Sequence, residues 1–549
     1  MEKWLQKVVR LLTLFWLNAL VLVGVVPGFG QSTAPLSYRN PIIPGFYPDP
    51  SICRVGADYY LVNSSFEYFP GIPIWHSRDL VHWQQIGNVL NRASQLNLKG
   101  CQPYNGIYAP TIRFHQGIYY VIATLVGGGQ VYKNFYVTAT DPVGPWSDPI
   151  FYDQHGIDPS LFFDDDGRCY FLSNRATKSN DPRAIYQSEI NLKTGARISE
   201  IKEIWKGSGG SYVEGPHMYK KEGWYYLLTA EGGTSTGHMV SIARSKQVWG
   251  PFESNPANPI LTNRMAYDAL KGAGHADLVQ AVDSSWWMVH LAFRPKVDGI
   301  HFLGRETCLT PVEWPRNTWP IVNANGTATE KNVKHPPGYI PGSEQPFSGL
   351  QNTEFDRPLG FEWMHLRNPD SSHYSLSARP GWLQLKGSPF TLSQWDSPTL
   401  IARRQQHFNF VVSTRVDFSP GGPQEEAGLT LFMRDRFHYD FYIANEGMNR
   451  WIYLRYTLDS LQQVLAKQLL PKGEIELEVK GDRYNYVFYC TSKEGVKKQV
   501  GLLNTRFLGT EVAGGYNGVV IGLYATGNGS MSQTPAYFDF FHYKSLDHP

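Results

Sequence analysis

Beyond residue 30 the sequence has almost no helical periodicity, no apolar run long enough to cross a bilayer and no Cys-x-x-Cys pair. The first absence argues against helix bundles and alternating α/β folds. The second leaves the mature chain without a helical membrane span. The third argues against a thiolate zinc site. Cysteine itself is scarce, with five residues at positions 53, 101, 169, 308 and 490. An odd count leaves at least one thiol unpaired in a monomer. Free buried thiols are the expectation for most of them, with a Cys53–Cys101 bridge left open. Charge is scarce too: charged residues make up 18%, and 50 Lys and Arg against 48 Asp and Glu give a formal net charge of +2. That balance gives no reason to expect nucleic acid or an anionic membrane as partner. Two short motifs lack what their chemistry would need. Gly127-Gly128-Gly129 is without the Lys and Ser/Thr of a phosphate loop. Asp164-Asp165-Asp166-Gly167-Arg168 is without the later Glu of a calcium loop and reads as a hairpin turn.

Aromatic residues, by contrast, reach 14%, with 16 Trp and 32 Tyr, and hydrophobic residues 42%. This load suits β-rich folds and sugar-stacking sites. The length of 549 residues implies roughly two to four domains. Residues 1–30 have the form of a secretory signal peptide: Lys3, Lys7 and Arg10, an apolar stretch from Leu11 to Val26, then the break at Pro27-Gly28. The expected location is therefore secreted or periplasmic.

Short aromatic or apolar runs alternate with turns. Asp58–Val62, Ile118–Ile122, Cys169–Leu172, Trp224–Leu228 and Trp286–Val289 each follow a charged or Gly-containing turn. These are five copies of one unit. Each copy opens on a similar phrase: Asp49-Pro50-Ser51, Ala109-Pro110-Thr111, Asp158-Pro159-Ser160, Glu214-Gly215-Pro216 and His275-Ala276-Asp277. Short strands repeating every ~50–60 residues are the mark of a β-propeller, here five-bladed over residues 36–325. Residues 326–346 are rich in Pro, Gly and Lys and read as a linker. Alternating strands over 347–549 then predict a β-sandwich of jelly-roll or concanavalin-like type.

In a propeller the opening residues of all units converge at one mouth of the central channel. Three of the five are acidic. Clustered like charge does nothing for folding and marks a functional site. Three carboxyl groups suit glycosidic bond hydrolysis with inversion, in which one protonated carboxyl donates to the leaving oxygen and an ionised one deprotonates water on the opposite face. Glu214, with the longer reach, is the candidate acid and Asp49 the candidate base. Asp158 would raise the pKa of the acid.

The chain resembles glycoside hydrolase family 43, in particular β-xylosidases with a C-terminal β-sandwich. The resemblance is carried by residues 40–51 (NPIIPGFYPDPS), 64–71 (SSFEYFPG), 76–80 (HSRDL), 214–217 (EGPH), 229–233 (TAEGG), 274–277 (GHAD) and 303–307 (LGRET), and in the second domain by 378–383 (ARPGWL) and 536–540 (AYFDF). It implies the same three roles for Asp49, Asp158 and Glu214. It also implies that Arg305 bonds the terminal sugar near the modulator, that Phe66 and Tyr108 line the sugar pocket, and that His275 sits in the central channel. In some family members that histidine holds a calcium ion, mostly through water, so His275 is the candidate metal residue; the chemistry itself calls for no cofactor. Tyr108 stands where these xylosidases often place Trp. Tyr516, in Gly514-Gly515-Tyr516-Asn517-Gly518, matches an aromatic that reaches the active-site mouth from the sandwich and closes it to all but chain ends. The implied substrates are xylooligosaccharides or arabinoxylan fragments, cut as a xylan 1,4-β-xylosidase, with α-L-arabinofuranosidase or dual activity as the alternative. A non-catalytic sugar-binding propeller would be expected to lack one of the three carboxylates, and all three are here. Homo-oligomers are left open.

Overall fold

The computed structural model describes residues 37–127, 130–175, 183–296, 298–340 and 350–547. The signal peptide expected over 1–30 and two glycines of the 127–129 run lie outside these.

Five antiparallel sheets follow one another along the chain, spanning Ser51–Leu90, Gly106–Tyr152, Ser160–Trp205, Glu214–Thr262 and Lys271–Val322. They are blades 1 to 5 of a propeller. The first hairpins are tight because the sequence supplies residues that tolerate positive φ. Gln116-Gly117 and Glu222-Gly223 each form a two-residue loop with both φ angles positive, the geometry that matches strand twist. The Asp164–Arg168 run is the hairpin turn between Ser160–Phe163 and Cys169–Ser173.

The innermost strands are Ser51–Val55, Thr111–His115, Ser160–Phe163, Glu214–Lys221 and Lys271–Gln280, and each touches the next until the fifth meets the first. The N-terminal segment fastens this ring. Tyr38 and the Asn40 amide both donate to the Leu309 carbonyl, at 2.9 and 2.8 Å, and Asn40 accepts from Leu309 N–H. Tyr38–Arg39 also pairs with Lys331–Asn332, so the stretch read as a linker begins as part of the propeller. Residues 341–346 of that stretch, and 347–349 after it, are outside the described residues.

The C-terminal domain is a sandwich of a six-stranded and a nine-stranded sheet. Phe410–Asp417 alternates buried and half-buried positions along its length, as a strand with one face on a core must. Leu429, Leu431, Phe441 and Ile443 of the smaller sheet meet Val412, Leu477, Val479 and Phe488 of the larger. All five cysteines are buried free thiols, so the Cys53–Cys101 bridge is not formed.

The two domains share a core. Phe46, Phe66 and Tyr68 of the propeller pack with Met364, Leu400, Phe432 and Tyr524 of the sandwich. Tyr68–Phe69 pairs with His365–Leu366, and Val519 N–H donates to the Phe302 carbonyl at 2.9 Å. This junction sets the sandwich against one side of the propeller mouth.

Candidate active site

All five repeat-opening residues, Asp49, Ala109, Asp158, Glu214 and His275, line one cavity of ≈ 340 Å³. A shared backbone device brings four of them there. Asp49, Asp158 and His275 have φ of 54, 55 and 45°, and Glu214 is followed by Gly215 at 58°. Left-handed backbone at a non-glycine costs about 1–3 kcal/mol, and such strain collects where function needs it. At Gly215 any side chain would meet the His275 ring, 3.1 Å away.

The carboxyl groups have different surroundings. Asp49 is buried, which by itself would raise its pKa. Its Oδ1 accepts from Arg305 Nη1 at 2.7 Å and its Oδ2 from Ser64 Oγ at 2.6 Å. With His275 nearby, these hold the carboxyl below its ordinary range. Glu214 is pushed by burial, and further by Asp49, up to about 7, against the pull of Arg183 and Arg305. Arg183 Nη1 lies 3.7 Å from Glu214 Oε2. Asp158 is pushed well up by burial, by Glu214 and by Asp49. No hydrogen bond reaches its carboxyl from the described residues, and His275 Nδ1 lies 4.0 Å from its Oδ2. Asp158 and Glu214 thus compete for a proton as a coupled pair. Burial lowers His275, and drives His238 and His217 down to about 3. The arginines carry the positive charge of the site.

Three aromatic side chains form the apolar wall. Phe66, itself at φ 48°, lies 5.2 Å from Tyr108 and stacks on Tyr516 at 6.1 Å between ring centres. Tyr516 arrives from the sandwich. Its loop is glycine-rich for a steric reason: a Cβ at Gly515 would overlap the Tyr104 ring, and one at Gly518 would overlap the Leu303 carbonyl. Tyr104 OH donates to the Gly514 carbonyl at 2.7 Å, and Arg305 Nε to the Tyr516 carbonyl at 3.4 Å.

Family models place these features. Residues 38–320 match glycosyl hydrolases family 43, and 352–544 match the beta xylosidase C-terminal concanavalin A-like domain. The chain belongs to glycoside hydrolase family 43. It is 42% identical to a non-reducing end alpha-L-arabinofuranosidase of Bacteroides ovatus, covering 96% of this chain and 98% of that one. It is 38% identical to a xylosidase/arabinosidase of Butyrivibrio fibrisolvens, covering 92% and 98%. The crystal structure of a xylan beta-1,4-xylosidase from Bacillus halodurans superposes with a TM-score of 0.86 at 34% identity, covering 92% of this chain and all of that one.

Every site residue read from the sequence of this family-43 hydrolase, namely Asp49, Asp158, Glu214, Phe66, Tyr108, Arg305, His275 and Tyr516, lines the cavity. Arg305 bonds Asp49 directly, lies close enough to Asp158 to pull its carboxyl down, and also donates to Thr234 Oγ1 at 3.2 Å. Sequence reading assigned no role to Arg183, Tyr212 and Thr234, which line the cavity as well, with the Arg183 guanidinium 4.3 Å from the Tyr212 ring centre. They sit in irregular segments outside the repeat phrases, so periodicity gave no signal for them.

Two residues past His275, one carboxylate joins the innermost strands. Asp277 bridges the blades there, accepting from Ser51 Oγ at 2.7 Å, Tyr219 OH at 2.6 Å and Arg113 Nη1 at 2.7 Å. Backbone N–H of Ile52 and Leu278 adds two more donors. Its oxygens are saturated, and Arg113 sets a fixed positive charge against it, its Nη2 2.9 Å from His217 Nδ1. Calcium needs several free oxygen ligands. No group of three metal-ligating side chains occurs among the described residues.

Proposed function

We propose that this family-43 hydrolase is an exo-acting, inverting pentosidase that removes xylose from the non-reducing ends of β-1,4-xylooligosaccharides. The observation that carries the reading is the separation of two acidities in one cavity. Asp49 is held ionised by Arg305 and Ser64, while Glu214 is pushed up to about 7. Paired titratable groups driven apart in this way define a base and an acid. Asp49 deprotonates a water, which attacks the anomeric carbon. Glu214 gives its proton to the departing glycosidic oxygen. Asp158, coupled to Glu214 in the same cavity, is the third carboxyl and takes the modulating role. These steps call for no metal or other cofactor. Phe66, Tyr108 and Tyr516 hold the apolar face of the sugar, and Arg305 donates to its hydroxyls. Tyr516 stands across one side of the mouth, which favours chain ends over chain interiors.

A second reading is removal of terminal α-L-arabinofuranose, alone or beside xylose. It is favoured by the arabinofuranosidase name of the 42%-identical relative and the dual name of the 38%-identical one. Comparing kcat/KM on nitrophenyl β-D-xylopyranoside and nitrophenyl α-L-arabinofuranoside decides between the readings. Following the anomeric proton of the first product by NMR tests the mechanism, since release of β-xylose from a β-xyloside overturns inversion. The N-terminal segment supports export of the enzyme to meet such fragments outside the cytoplasm.

A further inference from the structure

A second cavity, of ≈ 570 Å³, lies between the propeller and the sandwich and shares no lining residue with the catalytic one. Arg403 and Arg404 enter it from the end of strand Thr399–Arg404, which pairs with Val520–Thr526. Gln84 and Gln85 enter from blade 1, and Gln351 and Glu362 from the start of the sandwich.

Arg404 is 8% exposed, and its Nε is buried without a hydrogen-bond partner. Among the described residues no carboxylate and no carbonyl accepts from its guanidinium, which lies 4.2 Å from the centre of the Tyr47 ring and 5.7 Å from that of Phe46. An aromatic face attracts a cation but leaves its N–H donors unspent. Arg403 donates to Gln351 Oε1, and its nearest carboxylate, Glu362, is 4.0 Å away. Among the described residues the lining therefore carries two guanidiniums against one carboxylate, a net charge of +1. A buried charge without a partner is expensive, and removing that expense is a source of affinity for an anion. On the blade-1 side of the cleft, Gln85 Oε1 is a buried acceptor with no donor. Glutamine amides and aromatic faces suit sugar hydroxyls and sugar rings.

We propose that this cleft is a second binding site, for a uronic acid carried on a xylooligosaccharide. The uronate carboxylate accepts from Arg404, in the bidentate geometry a guanidinium favours. A ring hydroxyl donates to Gln85 Oε1, and the ring lies between the glutamine amides. The enzyme would then hold a fragment by its acidic branch apart from the cavity that trims its end. The xylan part of this assignment rests on the proposed function, whereas the recognition of a sugar carboxylate does not.

The test is calorimetric titration of the full chain with D-glucuronate, D-xylose, acetate and inorganic phosphate, and of the Glu214→Gln enzyme with glucuronoxylotriose and xylotriose. Glucuronate and glucuronoxylotriose are expected to bind, and Arg404→Met to weaken both at least tenfold while kcat/KM on the nitrophenyl pentosides stays within twofold. Gln85→Leu, a change on the blade-1 side, is expected to weaken glucuronate more than acetate. Retention of full glucuronate affinity in Arg404→Met overturns the proposal. So does equal binding of acetate, phosphate and glucuronate, which would make this a simple anion site, and so does the absence of any glucuronate binding. Failure of the pentosidase reading appears separately, as inactivity on both nitrophenyl pentosides with glucuronate binding intact.

Discussion

Asn517 Nδ2 donates to Glu67 Oε1 at 2.9 Å, joining an amide of the sandwich to a buried carboxyl of the propeller. Each residue stands next to a wall of the catalytic cavity, Asn517 beside Tyr516 and Glu67 beside Phe66. The other carboxyl oxygen of Glu67 accepts from Tyr104 N–H at 3.2 Å, and Tyr104 braces the same loop. One carboxyl group thus fixes how the two domains meet at the pocket. The two walls it joins, Phe66 and Tyr516, stack directly.

Asn517→Ala is expected to free Tyr516 while leaving the carboxyl groups of the propeller in place. An aromatic contact is worth about 0.5–1.5 kcal/mol. KM for xylobiose should therefore rise about 2–10-fold in Asn517→Ala and in Tyr516→Ala, with kcat for nitrophenyl xyloside changed less. Steady-state kinetics on both substrates check this; a fall in kcat with KM unchanged would place Tyr516 outside substrate binding.

Glu67 also sets a pH dependence of stability. Burial pushes it from 4.5 up to about 7 in the folded protein, with Arg367, Tyr104 N–H and Asn517 pulling the other way. Between those two values the native state binds more protons than the unfolded chain. Stability from this group is fully present below about 4.5 and is lost as pH rises towards 7. The amount at stake is about 3 kcal/mol. Glu67→Gln should flatten the decline of Tm between pH 4.5 and 8, leaving the part due to Glu214 and Asp158. Parallel parent and variant curves in a thermal melt series would contradict this.

Removal of the acid should discriminate between leaving groups. A general acid contributes about 10²–10⁴-fold. Glu214→Ala is expected to lose that factor on xylobiose, whose departing hydroxyl needs a proton, and far less on nitrophenyl xyloside, whose phenolate does not. Equal losses on the two substrates would move Glu214 to another role.

The pH–rate profile carries the same assignment. The acid is active while protonated, so kcat/KM should fall on the alkaline side around the Glu214 value of about 7. On the acid side it should fall only below the ordinary carboxylate range, where Asp49 takes up a proton. Arg183 pulls Glu214 down, so Arg183→Gln should shift the alkaline limb to higher pH. A shift to lower pH would show that Arg183 does not act on Glu214 through its charge.

Much of this was legible in the sequence for one reason. A propeller repeats in sequence what it repeats in space, so the five opening phrases marked residues that meet at one axis. Blade hairpins were legible as well, because two-residue turns need positive φ and so leave Gly at fixed places. The junction was less so. Gly514–Gly518 could be matched to a family loop, but only the fold shows that Gly515 and Gly518 are small because Tyr104 and the Leu303 backbone occupy the space beside them. Arg183 and Tyr212 lie between repeats, and their place in the cavity depends on how an irregular loop folds back.

The sequence by itself determined which carboxyl groups meet in one cavity, since periodicity is a local property that every copy of the unit repeats. It also determined the all-β architecture, through alternation and turn chemistry. Only the tertiary structure decided their acidities. Burial and neighbouring charge set a pKa, and these come from residues distant in the chain: Arg305 on Asp49, Arg183 near Glu214, and Arg113 on Asp277. Such pairings have no period and leave no mark on the spacing of residues.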